Sequence, residues 1–150
     1  MIRRPPRSTL DRSSAASDVY KRQGKLNDNI AALVLGIYLL GIIMYVVQLI
    51  FMTEIWLKGE EVDVSAVTVA RVLGGAWLGL GLGIVLTFLN GPDGQKTFFT
   101  GLLVAQVATL LVLLHGHFVS NLPKLGDDVA IVSVLTILLL VGWFRIKDRL

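Results

Sequence analysis

Ala66-Val-Thr-Val-Ala-Arg-Val-Leu-Gly-Gly-Ala-Trp-Leu-Gly-Leu-Gly-Leu-Gly-Ile-Val-Leu-Thr-Phe-Leu89 is the stretch that decides the fold. Its 24 residues exceed the ~20 that a helix needs to cross a hydrocarbon core. Arg71 is its only charge, and Gly75, Gly79 and Gly83 follow at four-residue intervals. Residues four apart share one helix face, so the arginine heads a strip without side chains. Lipid supplies no hydrophobic drive for helices to associate, and small residues that permit close backbone approach take over that role. The stretch predicts a membrane-spanning helix inside a bundle, with Gly75, Gly79 and Gly83 as its packing face. Contact with a flat ligand is the other use of such a strip.

Three more apolar blocks surround it. The first runs from Ile30 to Met52 without a charge, after Asn27, Asp28 or Asn29 as helix cap. The third runs from Phe98 to about His115 and the fourth from Asp128 to Arg145. None shows the polar face of a water-soluble core helix. The predicted fold is an all-α integral membrane four-helix bundle with spans 30–52, 66–89, 98–115 and 128–145. Thr53–Ser65 reads as an acidic connector with Trp56 at the membrane interface. Asn90-Gly-Pro-Asp-Gly94 is a tight stop, which predicts that the second and third spans pack as antiparallel neighbours. Asp127 or Asp128 caps the fourth helix, so its apolar part, Val129 to Phe144, and the other three spans are expected to hold no carboxylate.

Residues 1–23 stand apart. Met1-Ile-Arg-Arg-Pro-Pro-Arg-Ser-Thr9 resembles the conceptual translation of a short-read sequencing adapter. Ser13-Ser-Ala-Ala-Ser-Asp-Val-Tyr-Lys-Arg-Gln23 resembles that of a transposon-end adapter, in the right order and frame. A targeting arm would need an apolar core or an amphipathic helix, and neither is present. The resemblance implies a non-native, disordered leader without function, followed by one domain over 24–150, with the native start lying elsewhere. The whole chain has 14 Lys+Arg and 11 Asp+Glu; without the leader's six bases and two acids it carries eight and nine, a net charge of −1. No nucleic-acid partner is expected on that balance. The absence of cysteine excludes thiolate catalysis and Cys-ligated metals. With both ends inside, Lys25, Lys96, Arg145, Lys147 and Arg149 face Lys58 and Lys124 outside, which predicts N-in, C-in.

Polar residues near the expected outer ends are the candidate ligand pocket: Arg71, Gln48, Gln106, His115 and His117, with Asp127 and Asp128 alongside. Arg71 lies ~7.5 Å below its helix end at 1.5 Å rise per residue. Three roles are open to it: an interfacial anchor, an inward cation beside Gly75 holding an anionic or carbonyl-bearing ligand, or an ion pair with Glu54, Glu61 or Asp63. His115 and His117 point some 200° apart on a helix and cannot share a metal unless Gly116 breaks it. No metal site and no catalytic residue is predicted, since nothing resembles a nucleophile with its base, a phosphate loop or paired carboxylates.

Four short-looped helices, with Arg71-Val-Leu-Gly-Gly75 leading a glycine-rich second span, resemble the small DoxX-like membrane proteins. Some of these are linked to quinone-coupled sulfur oxidation. The resemblance implies a non-enzymatic bacterial inner-membrane protein binding a lipid-like or quinone-like ligand near Arg71. Besides the lipid bilayer, its partners would be a second copy or a membrane redox partner. One alternative is an accessory subunit of a quinone-linked oxidoreductase, with quinone or haem as its cofactor; otherwise no cofactor is expected. The other is a small transporter similar to drug/proton antiporters, which depend on a membrane-buried carboxylate.

Overall fold

The computed structural model describes residues 26–120 and 125–150. The adapter-like segment 1–23 and Lys25 and Lys124 of the orientation count lie outside them. The chain is an all-α helical membrane bundle, with no strand among the described residues. Its helices are α1 (Asn29–Ile50), α2 (Thr53–Gly59), α3 (Val67–Asn90), α4 (Lys96–Phe118) and α5 (Leu125–Ile146). All but α2 are long and apolar enough to cross a membrane.

Helix α1 is the hub. Asp28 caps it, its carboxylate accepting from the Ala31 N–H at 2.9 Å. Ala31, Leu35, Tyr38, Ile42, Val46 and Leu49 then fall inside, at steps of three or four residues that trace one stripe. Leu33, Leu40 and Met44 between them are exposed, as lipid-facing side chains are. The chain turns at Phe51-Met52, where the Thr53 hydroxyl donates back to the Leu49 carbonyl at 2.6 Å. The expected connector holds α2, whose Thr53 and Leu57 are buried one turn apart. A Val64–Ala66 3-10 turn capped by Asp63 leads into α3.

The helices occupy four corners, with α1 against α3 and α5, and α5 against α4. The fourth side stays open. Helices α3 and α4, expected to pack as neighbours, barely touch. The Gly91–Gln95 turn joins them at one end, with positive φ at Gly91 and Gly94, and Phe98 lies against Gly83 there. Beyond that point each helix finds a different partner.

The glycines explain which sides close. At Gly74 a Cβ would meet Ile50 Cγ1 at 2.7 Å and Leu49 Cβ at 3.0 Å, so α1 and α3 approach as closely as they do because nothing projects there. On the α1–α5 seam Leu135 fills the notch at Gly41, and Leu35 the notch at Gly142. Gly75 and Gly79 have no such neighbour within 4 Å. The packing face of α3 is therefore carried by Gly74 and Gly81, rotated by about 100° from the expected strip. Of that strip only Gly83 makes a close contact within the bundle. The end of the bundle nearest the chain's C-terminus is tied by two ion pairs, Arg145–Asp28 and Arg149–Asp93, each at 2.7 Å.

Candidate functional site

At the other end, towards α2, all five helices line a cavity of about 230 Å³. Helix α1 contributes Tyr45 and Gln48, α2 contributes Trp56, and α3 contributes Trp77. Gln106 and Thr109 line it from α4, and Asp128 from α5.

The floor is a buried polar network spanning three helices. The Tyr38 hydroxyl donates to Gln106 Oε1 at 2.9 Å. Gln106 Nε2 donates to Thr136 Oγ1 at 3.2 Å and, more weakly, to the Val132 carbonyl at 3.4 Å. The Thr136 hydroxyl in turn donates to the Val132 carbonyl at 2.7 Å. An unpaired amide in hydrocarbon would cost several kcal/mol, so Gln106 is held in one rotamer and fixes the rotation of α4 against α1 and α5.

The walls are aromatic. Tyr45 stands edge-to-face with Trp56 at 6.2 Å and with Trp77 at 6.3 Å, a favoured arrangement for such rings. Trp56, carried on α2, lines the cavity. Asp128 is half-buried in the first turn of α5. That helix starts at Leu125, so Asp127 and Asp128 sit inside it and neither caps it as the sequence suggested. The fourth long helix thus carries carboxylates in its first turn, contrary to expectation, because it begins before its apolar block. Acids in a first turn are favoured there by the helix dipole.

Of the sequence candidates, Gln48 and Gln106 line this cavity and Arg71, His115 and His117 do not. Arg71 is exposed, and its Nε makes a long hydrogen bond of 3.4 Å to Thr53 Oγ1. It braces the α1–α2 corner from outside, one helix face away from Trp77. His115 and His117 both lie on the unbroken α4 and point apart; His117 packs edge-on to Phe118 at 4.7 Å. Sequence reasoning missed Tyr45, Trp56 and Trp77. Their available signal was an aromatic on each of three consecutive elements, two of them tryptophans.

Outside the spans, two carboxyls sit below the usual carboxylate range. Asp28 is held down by the Ala31 N–H and then by Arg145, partly offset by desolvation. Asp63 is held down by hydrogen bonds from the Ser65 side chain and backbone.

No family model, curated protein or solved structure matches the chain.

Proposed function

We propose that this chain is a small, non-enzymatic protein of the bacterial inner membrane, DoxX-like in architecture, with both ends inside. We propose further that it binds a lipid-like or quinone-like amphiphile in the cavity above Gln106. One observation carries the reading: a polar floor and aromatic walls coincide in one cavity among the apolar helices. Pockets that take small molecules combine apolar and aromatic walls with a few convergent polar groups. The site lies across α3 from the expected position beside Arg71.

The test is intrinsic fluorescence of the purified protein, since Trp56 and Trp77 line the cavity. Decylubiquinone and a short-chain lysophospholipid are the probes. Saturable quenching or a saturable spectral shift by either probe, lost when Thr109→Phe fills the cavity, is the expected result. A response that never saturates, or that survives Thr109→Phe in a protein of unchanged circular dichroism, overturns the proposal.

A second reading, a small transporter, is favoured by Asp128, a carboxylate inside a span and on the cavity wall. Ionisable residues within spans mark substrate and ion pathways.

A further inference from the structure

The chemistry of the cavity walls narrows the ligand further, given the reading that the cavity is a ligand site. Among the described residues that line it, Asp128 is the only charged one. No described side chain donates a hydrogen bond to it or pairs with it as a cation. Its nearest titratable neighbour on α5 is Asp127, of like charge. The rings of Tyr45, Trp56 and Trp77 line the same cavity. The faces of aromatic rings attract cations, tryptophan best, and the attraction grows on desolvation. A carboxylate and three aromatic rings around one cavity favour a positive group, and with no lysine or arginine among its described walls an anion finds no cation there to offset the repulsion of Asp128.

A second cavity adjoins the first along the α1–α5 seam. It is a groove of about 410 Å³ that shares Gly41, Met44, Ile131 and Leu135 with the first. Its remaining walls, from Ile37 and Leu40 to Val134 and Leu138, carry no polar side chain. A polar chamber continuous with an apolar groove on the lipid-facing surface matches a head joined to an acyl or alkyl tail.

We propose that the site takes a cationic amphiphile, an alkylammonium in chemical class. Its ammonium head lies among Tyr45, Trp56, Trp77 and Asp128, and its tail lies in the groove between α1 and α5.

The experiment compares heads on one tail. The full chain in dodecyl maltoside micelles is titrated with dodecyltrimethylammonium, dodecanol or dodecyl sulfate at low mole fraction, read by tryptophan fluorescence. Half-saturation by the cation at about tenfold lower mole fraction than by dodecanol is expected, with the sulfate weakest. Asp128→Asn should remove the preference for the cation. Asp127→Asn, exposed and outside the cavity, should leave it intact. Trp77→Leu should weaken the cation and spare dodecanol, which keeps the test sharp if Asp128→Asn does not fold. Equal half-saturation by cation and alcohol, or equal effects of the two aspartate changes, overturns the charge assignment and leaves the ligand site standing. No saturable response to any of the three overturns both.

Discussion

The Tyr38–Gln106–Thr136 network offers the most direct measure of what holds the bundle together. Tyr38→Phe removes one hydroxyl and leaves Gln106 Oε1 without its donor; Gln106→Leu removes the whole amide at nearly equal volume and helix propensity. Hydrogen bonds between membrane helices average ~0.6 kcal/mol and reach ~1.7. The Tyr38 bond is short, at 2.9 Å, and both partners are almost wholly buried, at 0% and 2% exposure, so it belongs near the top of that range. The Gln106 contacts at 3.2 and 3.4 Å belong nearer the average. Tyr38→Phe should then cost about 1–1.5 kcal/mol and Gln106→Leu about 1.5–2. Thr136 adds no penalty, because its proton goes to Val132 in either case. The double variant should cost about 1 kcal/mol less than the two singles together, since each single already breaks the shared bond. Equilibrium unfolding by rising dodecyl sulfate fraction in dodecyl maltoside, followed by circular dichroism, supplies all four values. Additivity within ~0.3 kcal/mol would show that the two side chains do not couple, and the network would lose its role.

Gly74→Val should destabilise the protein by about 1–3 kcal/mol in the same assay, because its branches enter Ile50 and Leu49. Gly75→Ala, in open space, should stabilise by about 0.5–1 kcal/mol through helix propensity alone. Arg71→Leu should shift stability by less than about 1 kcal/mol, as it loses one long, part-buried hydrogen bond. It should also leave amphiphile half-saturation unchanged; a large loss of binding would return the ligand to Arg71. Because the Asp28 carboxyl is depressed in the folded state, its charge stabilises fully above the unfolded value near ~3.9 and is lost as pH falls through the lower folded value. Asp28→Asn keeps a capping side chain without that titration. The stability gap between wild type and variant, followed by thermal melts from pH 7 to pH 2, should therefore close in that acidic window.

Span number, length and order were legible because each rests on runs of apolar residues, which need no knowledge of rotation. Observed and expected boundaries differ by at most three residues. Rotation was not legible. A soluble helix declares its inner face by contrast with a polar one, but here Leu33 faces lipid while Leu35 faces the core. Nothing in the composition of α3 separates Gly74 from Gly75, and of the expected strip Gly83 makes a close contact while Gly75 and Gly79 make none. The cavity was half legible for the same reason. Gln48, Gln106 and Asp128 stand out as polar side chains within or beside apolar blocks, whereas Tyr45 and Trp77 read as ordinary membrane aromatics until α1 and α3 are docked. Helix α2 was hidden by its brevity and charges, although Thr53 and Leu57 are spaced one turn apart.

The unclosed side between α3 and α4 bears on how the molecule is assembled. The chain divides at the Gly91–Gln95 turn into halves that are each internally docked, α1 with α2 and α3, and α4 with α5. The main docking between the halves is the α1–α5 seam, with the Tyr38–Gln106 bond crossing diagonally beside it. Synthesis from the N-terminus completes the first half before α5 exists, so a nascent chain can hold a finished three-helix unit while it waits for the second. Two separately inserted fragments, divided at that turn, carry every surface they need to find each other in the plane of the bilayer.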